Sequence, residues 1–147
     1  MTRSNNEEVA IHALMDRFVH AFNSGNVDAI MENYVQDQSF VLFDVVPRKE
    51  YVGADAYRKA WTEMFSHFKT TPAITIEELN IVVDGEVAFG YSFQHVTGID
   101  IQGQPVDRWV RVTDGYRKID GNWLIAHEHI SVPVNFGNGK LVPFKRP

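Results

Sequence analysis

Apolar residues recur at helical spacing in the first part of the chain and alternate with polar residues in the second part. The first helix, which is predicted to end at Gly25, carries an apolar stripe. Asn26 is predicted to cap a shorter second helix that turns Tyr34 inward. A further stripe over residues 54–68 predicts a third helix. The two longer stripes consist of Ile11, Leu14, Met15, Phe18 and Phe22, and of Tyr57, Ala60, Trp61, Met64, Phe65 and Phe68.

From Pro72 onward the pattern is typical of strands. Strands are predicted over 73–83, 86–101, 105–119 and 122–132, with turns at Asp84-Gly85, near Gln102-Gly103 and at Asp120-Gly121. A shorter run, residues 39–44, predicts one more strand ahead of the third helix. Three helices followed by a meander of antiparallel strands predict the α+β class. The 147 residues fit a single domain, 1–147, in which 134–147 is expected to be an irregular C-terminal tail.

Composition narrows the range of partners. Fourteen basic and nineteen acidic residues give a net charge of −5, without a basic cluster, so we expect no nucleic acid and no anionic membrane as a partner. No apolar run approaches the roughly 18 residues of a membrane span. The N-terminus lacks the pattern of a signal peptide. With no cysteine there is no disulfide, thiolate metal site or Cys nucleophile, and a cytoplasmic location is expected.

Three stretches carry a resemblance to a known family: "HAFNSGNVDAIMENYV" (20–35), "FDVVPRKEYVGADAYRKAWTEMF" (43–65) and "RVTDGYRKIDGNWLIAHEHISVP" (111–133). The chain resembles the NTF2-like superfamily, specifically its SnoaL-like and ketosteroid-isomerase-like branch. The resemblance implies three N-terminal helices packed in a strongly curved antiparallel sheet that forms a cone. It also implies a deep pocket at the mouth of the cone and homodimers formed through the sheet.

Strand alternation divides the candidate residues between two faces. On the second long strand the bulky row is expected to line the cone, and it ends at His95. On the last strand one face carries polar groups at every second position. The first row is Val87, Phe89, Tyr91, Phe93 and His95, and the second is Trp123, Ile125, His127, His129 and Ser131. The ketosteroid-isomerase pattern implies the same side for His127, His129 and Ser131.

The same pattern places Asp114 at the position of a protonated aspartate that donates to a developing oxyanion, an example known for that enzyme. Phe18 stands at the position of its oxyanion tyrosine, and Leu42 at that of its base. Asp44 lies two residues further with the same strand phase. Asp44 is therefore a candidate general base, or an Asx turn at the strand exit.

Two candidates have alternative explanations. Burial is expected to raise the pKa of Asp114, unless the residue pairs with an arginine, Arg108 above all, or simply precedes a bulge at Gly115. His127 and His129 could relay protons, form hydrogen bonds in the core, or bind a metal together with His95.

These residues point to an enzyme that transfers protons on a small, largely apolar molecule, by isomerisation, dehydration or cyclisation. No glycine-rich fingerprint indicates a cofactor, and no metal is expected. One alternative is a non-catalytic ligand-binding or association domain of the same fold. Another is metal-independent hydration, because "HEHISVP" partly resembles the final strand of metal-independent carbonic anhydrases. The expected catalytic residues are Asp44, Asp114, His127 and His129; those expected to bind substrate are Phe18, Tyr34, Trp61, Tyr91, Phe93, His95, Tyr116 and Ser131.

Overall fold

The structure, a computed structural model, describes residues 3–145. Its helices are α1 (Arg3–Asn23), α2 (Val27–Met31) and α3 (Ala54–Ser66). Asn26 caps α2 as predicted, since its side chain accepts a hydrogen bond from the Ala29 amide at 3.0 Å. Gly25, which follows α1, has a φ of 66°, the left-handed conformation that favours glycine at a helix end. None of the described helices is long and apolar enough to cross a membrane.

Six strands form one sheet in the order β2-β1-β6-β5-β4-β3. They are β1 (Val41–Phe43), β2 (Tyr51–Val52), β3 (Ala73–Asp84), β4 (Val87–Ile99), β5 (Pro105–Ile119) and β6 (Asn122–Ser131). The α+β class and the order of elements are confirmed. The sheet is mixed, however, because the short β1 enters from the helical half of the chain and pairs parallel to β6. The strong curvature of the sheet stays a prediction.

The turn between β5 and β6 lies where the sequence predicts it. Asp120 and Gly121 have φ values of 51° and 82°, the pair of positive angles that a tight hairpin turn requires. The turn therefore fixes the start of β6 opposite the end of β5, with Asn122 paired to Ile119.

The sheet has two unlike faces. The inner face packs against the helices and buries Ser92, Gln94, Val112, Asp114 and Tyr116. The outer face carries the alternate residues of the same strands, and Phe89 and Tyr91 there remain 48% and 51% exposed. The residues that the sequence assigns to a pocket therefore fall into two groups, one on the inner face and one on the outer face.

A β-bulge in β6 changes which residues face inward. Tyr116 pairs with Ile125, but the preceding Gly115 pairs with His127, so Ala126 is an extra residue without a partner on β5. Trp123 and Ile125 are buried before the bulge, and Glu128 is buried after it. One inserted residue thus moves the side chains that follow to the opposite face.

The C-terminal segment is less irregular than expected. Residues 134–141 contain a small hairpin of β7 (Val134–Asn135) and β8 (Lys140–Leu141). Beyond it the ring of Phe144 packs edge-on against Phe93, with ring centroids 5.8 Å apart. This contact holds the end of the chain beside the outer face of the sheet.

Candidate active site

A buried carboxylate, Glu128, forms the centre of a polar cluster between the inner face and the helices. Its side chain is only 4% exposed. The Tyr57 hydroxyl of α3 donates to one oxygen at 2.6 Å, and the Tyr34 hydroxyl that follows α2 donates to the other at 3.0 Å. Each oxygen of the carboxylate therefore accepts a hydrogen bond from a phenol, which offsets part of the cost of burial.

Asp114 lies directly opposite Glu128 on the neighbouring strand and is 2% exposed. Tyr116 donates to its Oδ2 over a long 3.5 Å. Among the described residues no N–H or O–H group donates to its buried Oδ1, and the buried Trp61 indole nitrogen has no acceptor. Burial raises the pKa of Asp114 well above its ordinary value, and repulsion by Glu128 raises it further. The raised pKa agrees with the sequence-based prediction.

The expected alternative, an arginine partner for Asp114, is not found. Arg108 is the arginine with the matching strand phase, but six residues of strand separate the two, or about 20 Å at roughly 3.3 Å per residue. Arg111 and Arg117 lie at outward-facing positions and are exposed. The predicted bulge beside Gly115 is present, and the extra residue is on β6.

Asp114 and Glu128 lie opposite each other on neighbouring strands, so a protonated carboxyl of one can donate a hydrogen bond to the other. The bond raises the pKa of Asp114, whereas for Glu128 it and the two phenol bonds lower a pKa that burial raises. Two carboxylates cannot hydrogen bond to each other, so one of them must be protonated. The arrangement favours a protonated Asp114 that donates to an ionised Glu128.

A cavity of about 1060 Å³ lies to one side of this cluster. It is bounded by α3, by the loop between β1 and β2, and by the β4–β5 turn with the first residues of β5. This is large enough for a drug-sized ligand. The wall is mixed, with apolar side chains between charged ones. The lining residues are Asp44, Val46, Pro47, Arg48, Tyr51, Ala56, Lys59, Ala60, Glu63, Met64, His67, Phe68, Asp100, Ile101, Gln102, Val106 and Arg108.

Asp44 is the predicted catalytic residue that lines this cavity. It follows β1 at the inward-facing position after Leu42, and it is half-buried. Desolvation raises its pKa, and the hydrogen bond that its Oδ1 accepts from the Val45 amide at 2.7 Å offsets this in part. Its charge also raises the pKa of Glu128. Asp44 therefore combines a perturbed carboxyl group with access to the cavity.

The structure places the aromatic row of β4 away from the cavity. Gly90, Ser92 and Gln94 face the helices, so Tyr91 and Phe93 lie on the outer face. His95 lies there too, stacked on Trp109 with its Nε2 2.6 Å from Asp107. The size of these β4 side chains indicated the inner face, but the helices already fill the interior, so the large side chains lie on the outer face. At Gly90 a Cβ atom would lie 3.1 Å from the Tyr116 hydroxyl.

The polar row of β6 is also on the outer face, as a consequence of the bulge at Ala126. His127 Nδ1 is 2.7 Å from the carbonyl oxygen of Val41. The exposed His129 packs edge-on against Phe43. Ser131 Oγ accepts a hydrogen bond from Arg111 Nε at 3.1 Å. The prediction that these groups line the pocket assumed regular alternation, which the extra residue breaks.

Four other predicted ligand-binding residues are part of the packed interior. Phe18, Tyr34 and Tyr116 are almost fully buried, and none of them lines the cavity. Trp61 packs against Phe18 at a centroid distance of 6.0 Å, one residue beyond the cavity-lining Ala60. These four side chains belong to the hydrophobic core and do not line the cavity.

Sequence reasoning missed the centre of the buried cluster. Regular alternation along β6 places Glu128 on the face opposite His127 and His129, and the helical spacing marks Tyr57 only as one residue of an apolar stripe. The available signal was an acidic residue inside the apolar run "WLIAHEHISV", combined with the possible bulge at Gly115. Among residues 3–145 no group of three acidic or histidine side chains is arranged to hold a metal ion.

Comparison with known proteins gives the family and the fold. A family model described as a SnoaL-like domain matches residues 11–135. No curated protein matches the sequence significantly. An NTF2-like protein of unknown function from Pseudomonas putida KT2440 superimposes with a TM-score of 0.85 at 23% identity, over 98% of this chain and 99% of that one.

Two further solved structures share the fold at low identity. An NTF2-like superfamily protein from Salmonella enterica has a TM-score of 0.77 at 17% identity, over 91% of this chain and 94% of its own. A ketosteroid isomerase-like protein from Erwinia carotovora has a TM-score of 0.73 at 24% identity, over 86% of this chain and 96% of its own. The solved structures show that the fold is NTF2-like, and the family match shows that the chain belongs to the SnoaL-like family.

Proposed function

We propose that this protein is a cofactor-independent enzyme that moves a proton within a small organic molecule, with Asp44 as the general base. The observation that carries the proposal is a half-buried carboxyl group with a raised pKa in the wall of a cavity of about 1060 Å³. A raised pKa makes an ionised carboxyl group a stronger proton acceptor. One structural relative is described as ketosteroid isomerase-like, which is compatible with this chemistry.

In the proposed reaction Asp44 removes a proton from a carbon next to a carbonyl group. The substrate then carries an enolate, whose charge a cationic side chain of the lining stabilises, with Lys59 as the candidate. Protonated Asp44 returns the proton to another carbon of the same molecule, and the double bond moves. No electron is gained or lost, so the step requires no redox cofactor.

Asp114 has a different part in this proposal from the one that the sequence indicated. It is buried and donates to Glu128, so it does not reach a substrate. Together with Tyr57 it fixes the position of the Glu128 carboxylate. The charge interaction between Glu128 and Asp44 links the cluster to the base. Asp114 and Glu128 are therefore positioning residues, and the histidines of β6 take no part.

The proposal is tested with a β,γ-unsaturated cyclic ketone, whose conversion to the conjugated isomer is followed by ultraviolet absorbance. Asp44→Asn should lower kcat by about 10² to 10⁴, the usual contribution of a general base. Asp100→Asn is the matched control, because Asp100 lines the same cavity but accepts backbone hydrogen bonds from Gln102 and Gln104. Turnover that survives in the Asp44 variant, or is lost equally in both, contradicts the proposal.

A non-catalytic binding or association role is the second candidate. The sealed and largely paired network around Glu128 favours it, because such a network stabilises a fold without taking part in turnover. Binding of ligands in the cavity without isomerisation of any ketone would support this role. The hydration chemistry indicated by "HEHISVP" is not supported, since both histidines lie away from the cavity.

For the assembly we propose a cytoplasmic homodimer formed through the outer face of the sheet. Phe43, Val82, Phe89 and Tyr91 remain 38–51% exposed on this face, so it offers apolar surface that a second copy can cover. Phe89 and Val82 are directly opposite each other on neighbouring strands, and with Tyr91 they form an exposed apolar patch on β3 and β4.

A further inference from the structure

Arg108 presents an unpaired positive charge to the cavity. It lies near the start of β5 at a position with the inward phase, and its side chain lines the cavity. Its neighbour Asp107 has the opposite phase and pairs with His95 on the outer face, at 2.6 Å. Among the described residues no acceptor or carboxylate is within hydrogen-bond or ion-pair distance of the Arg108 guanidinium.

Three other arginines have contacts that Arg108 lacks. Arg58 pairs with Asp28, Arg111 donates to Ser131, and Arg48 lies over the ring of Tyr51 with its Cζ 5.0 Å from the centroid. Lys59 of α3 resembles Arg108, since it lines the cavity without an ion pair in the described part of the chain. Two cations therefore face one cavity with free donors.

The three carboxylates in the lining, Asp44, Glu63 and Asp100, form no ion pair with Arg108 or Lys59. Asp100 Oδ1 accepts hydrogen bonds from the Gln102 and Gln104 amides, at 2.9 and 2.8 Å, within its own turn. Asp44 Oδ1 accepts a hydrogen bond from the Val45 amide at 2.7 Å. Between the charged groups lies an apolar wall that includes Met64, Phe68 and Val106. Such a wall suits a hydrocarbon body rather than a hydrated sugar or ion.

We infer that the ligand of this cavity is an amphipathic organic acid, whose carboxylate binds Arg108 with help from Lys59 while its apolar body packs against Met64, Phe68 and Val106. The planar guanidinium can hold a carboxylate through two parallel hydrogen bonds. The inference rests on the proposed function in one respect: it takes this cavity as the substrate site and names the class of substrate.

The test compares naphthalene-2-carboxylate with its neutral amide, which has nearly the same shape. Isothermal titration of the full chain should give a Kd about tenfold lower for the carboxylate, as expected for one exposed charge-assisted contact. Arg108→Gln should remove this preference while leaving amide binding unchanged. Arg117→Gln is the matched control, since Arg117 lies on the same strand, at an outward-facing and exposed position. It should retain the preference.

The outcomes separate the inference from the proposed function. Equal affinity for acid and amide, or a preference that persists in Arg108→Gln, overturns the inference, even if Asp44→Asn abolishes turnover. Conversely, a preference for the acid that depends on Arg108 supports the inference even where Asp44→Asn leaves turnover intact. Thermal unfolding of each variant excludes a loss of binding through misfolding. Raising the salt concentration should weaken binding of the acid and not of the amide.

Discussion

Three tyrosines that point at the buried carboxyl pair provide a graded test of how that pair is held. Tyr57 donates to Glu128 at 2.6 Å, Tyr34 at 3.0 Å, and Tyr116 donates to Asp114 at 3.5 Å. Substitution by phenylalanine removes the same hydroxyl each time and keeps the ring. Tyr57, for example, keeps its stacking on Phe40, with centroids 5.4 Å apart.

The expected losses differ because the acceptors and distances differ. A hydrogen bond to a charged group contributes about 1.5–3 kcal/mol, so Tyr57→Phe should cost that much, and Tyr34→Phe somewhat less. The 3.5 Å contact of Tyr116 is at the limit of a hydrogen bond, and its acceptor is a protonated carboxyl group rather than a charged one. Tyr116→Phe should therefore cost less than about 1 kcal/mol. The expected loss of stability in the three variants therefore follows the hydrogen-bond distance and the charge of the acceptor.

Urea unfolding at neutral pH measures these differences, provided that the slope with denaturant is unchanged. Loss of a phenol donor should also raise the pKa of Glu128, because one of the bonds that lowers it is gone. Equal losses in all three variants, or no loss in Tyr57→Phe, would show that Glu128 is not an anion held by phenols.

Two other predictions concern the proton and the assembly. The raised pKa of Asp114 means that the native state holds a proton that the unfolded chain has released above about pH 3.9, so stability should fall as the pH rises towards the folded pKa. In Asp114→Asn this fall should be shallower by up to about 1.4 kcal/mol per pH unit, and parallel curves from urea unfolding at several pH values would contradict it. Tyr91→Asp, at the centre of the exposed apolar patch, should convert the proposed dimer into a monomer in sedimentation, whereas Thr97→Asp on the same strand should not. A monomeric wild type would refute the proposal.

The sequence predicts the fold well because its signals are local and repeated. Apolar spacing identifies α1 and α3, and Asp120-Gly121 identifies a turn whose positive φ values the structure contains. Which face of the sheet a particular residue occupies is harder to predict. For β5 the alternation is regular, so Asp114 is inward-facing as predicted, with Val112 and Tyr116.

The prediction of the site fails where one extra residue breaks the alternation of inward- and outward-facing side chains in β6. Ala126 has no pairing partner on β5, and everything after it in β6 changes face. His129 and Glu128 therefore exchange their predicted sides. For β4 the reason is different: the helices already fill the interior with rings such as Phe18 and Trp61, so small residues such as Gly90 face inward there. Neither effect can be read from the hydrophobic pattern of a single strand.

The central claim, that Asp44 is a desolvated base within the cavity, is tested most directly by carboxyl-detected NMR titration of that side chain. The account predicts a pKa above the ordinary value of about 3.9, since burial disfavours the charged form. It also predicts that naphthalene-2-carboxylate bound in the cavity raises this pKa further, because a second negative charge is brought close. An Asp44 pKa at or below about 3.9 that does not respond to the ligand would contradict the account.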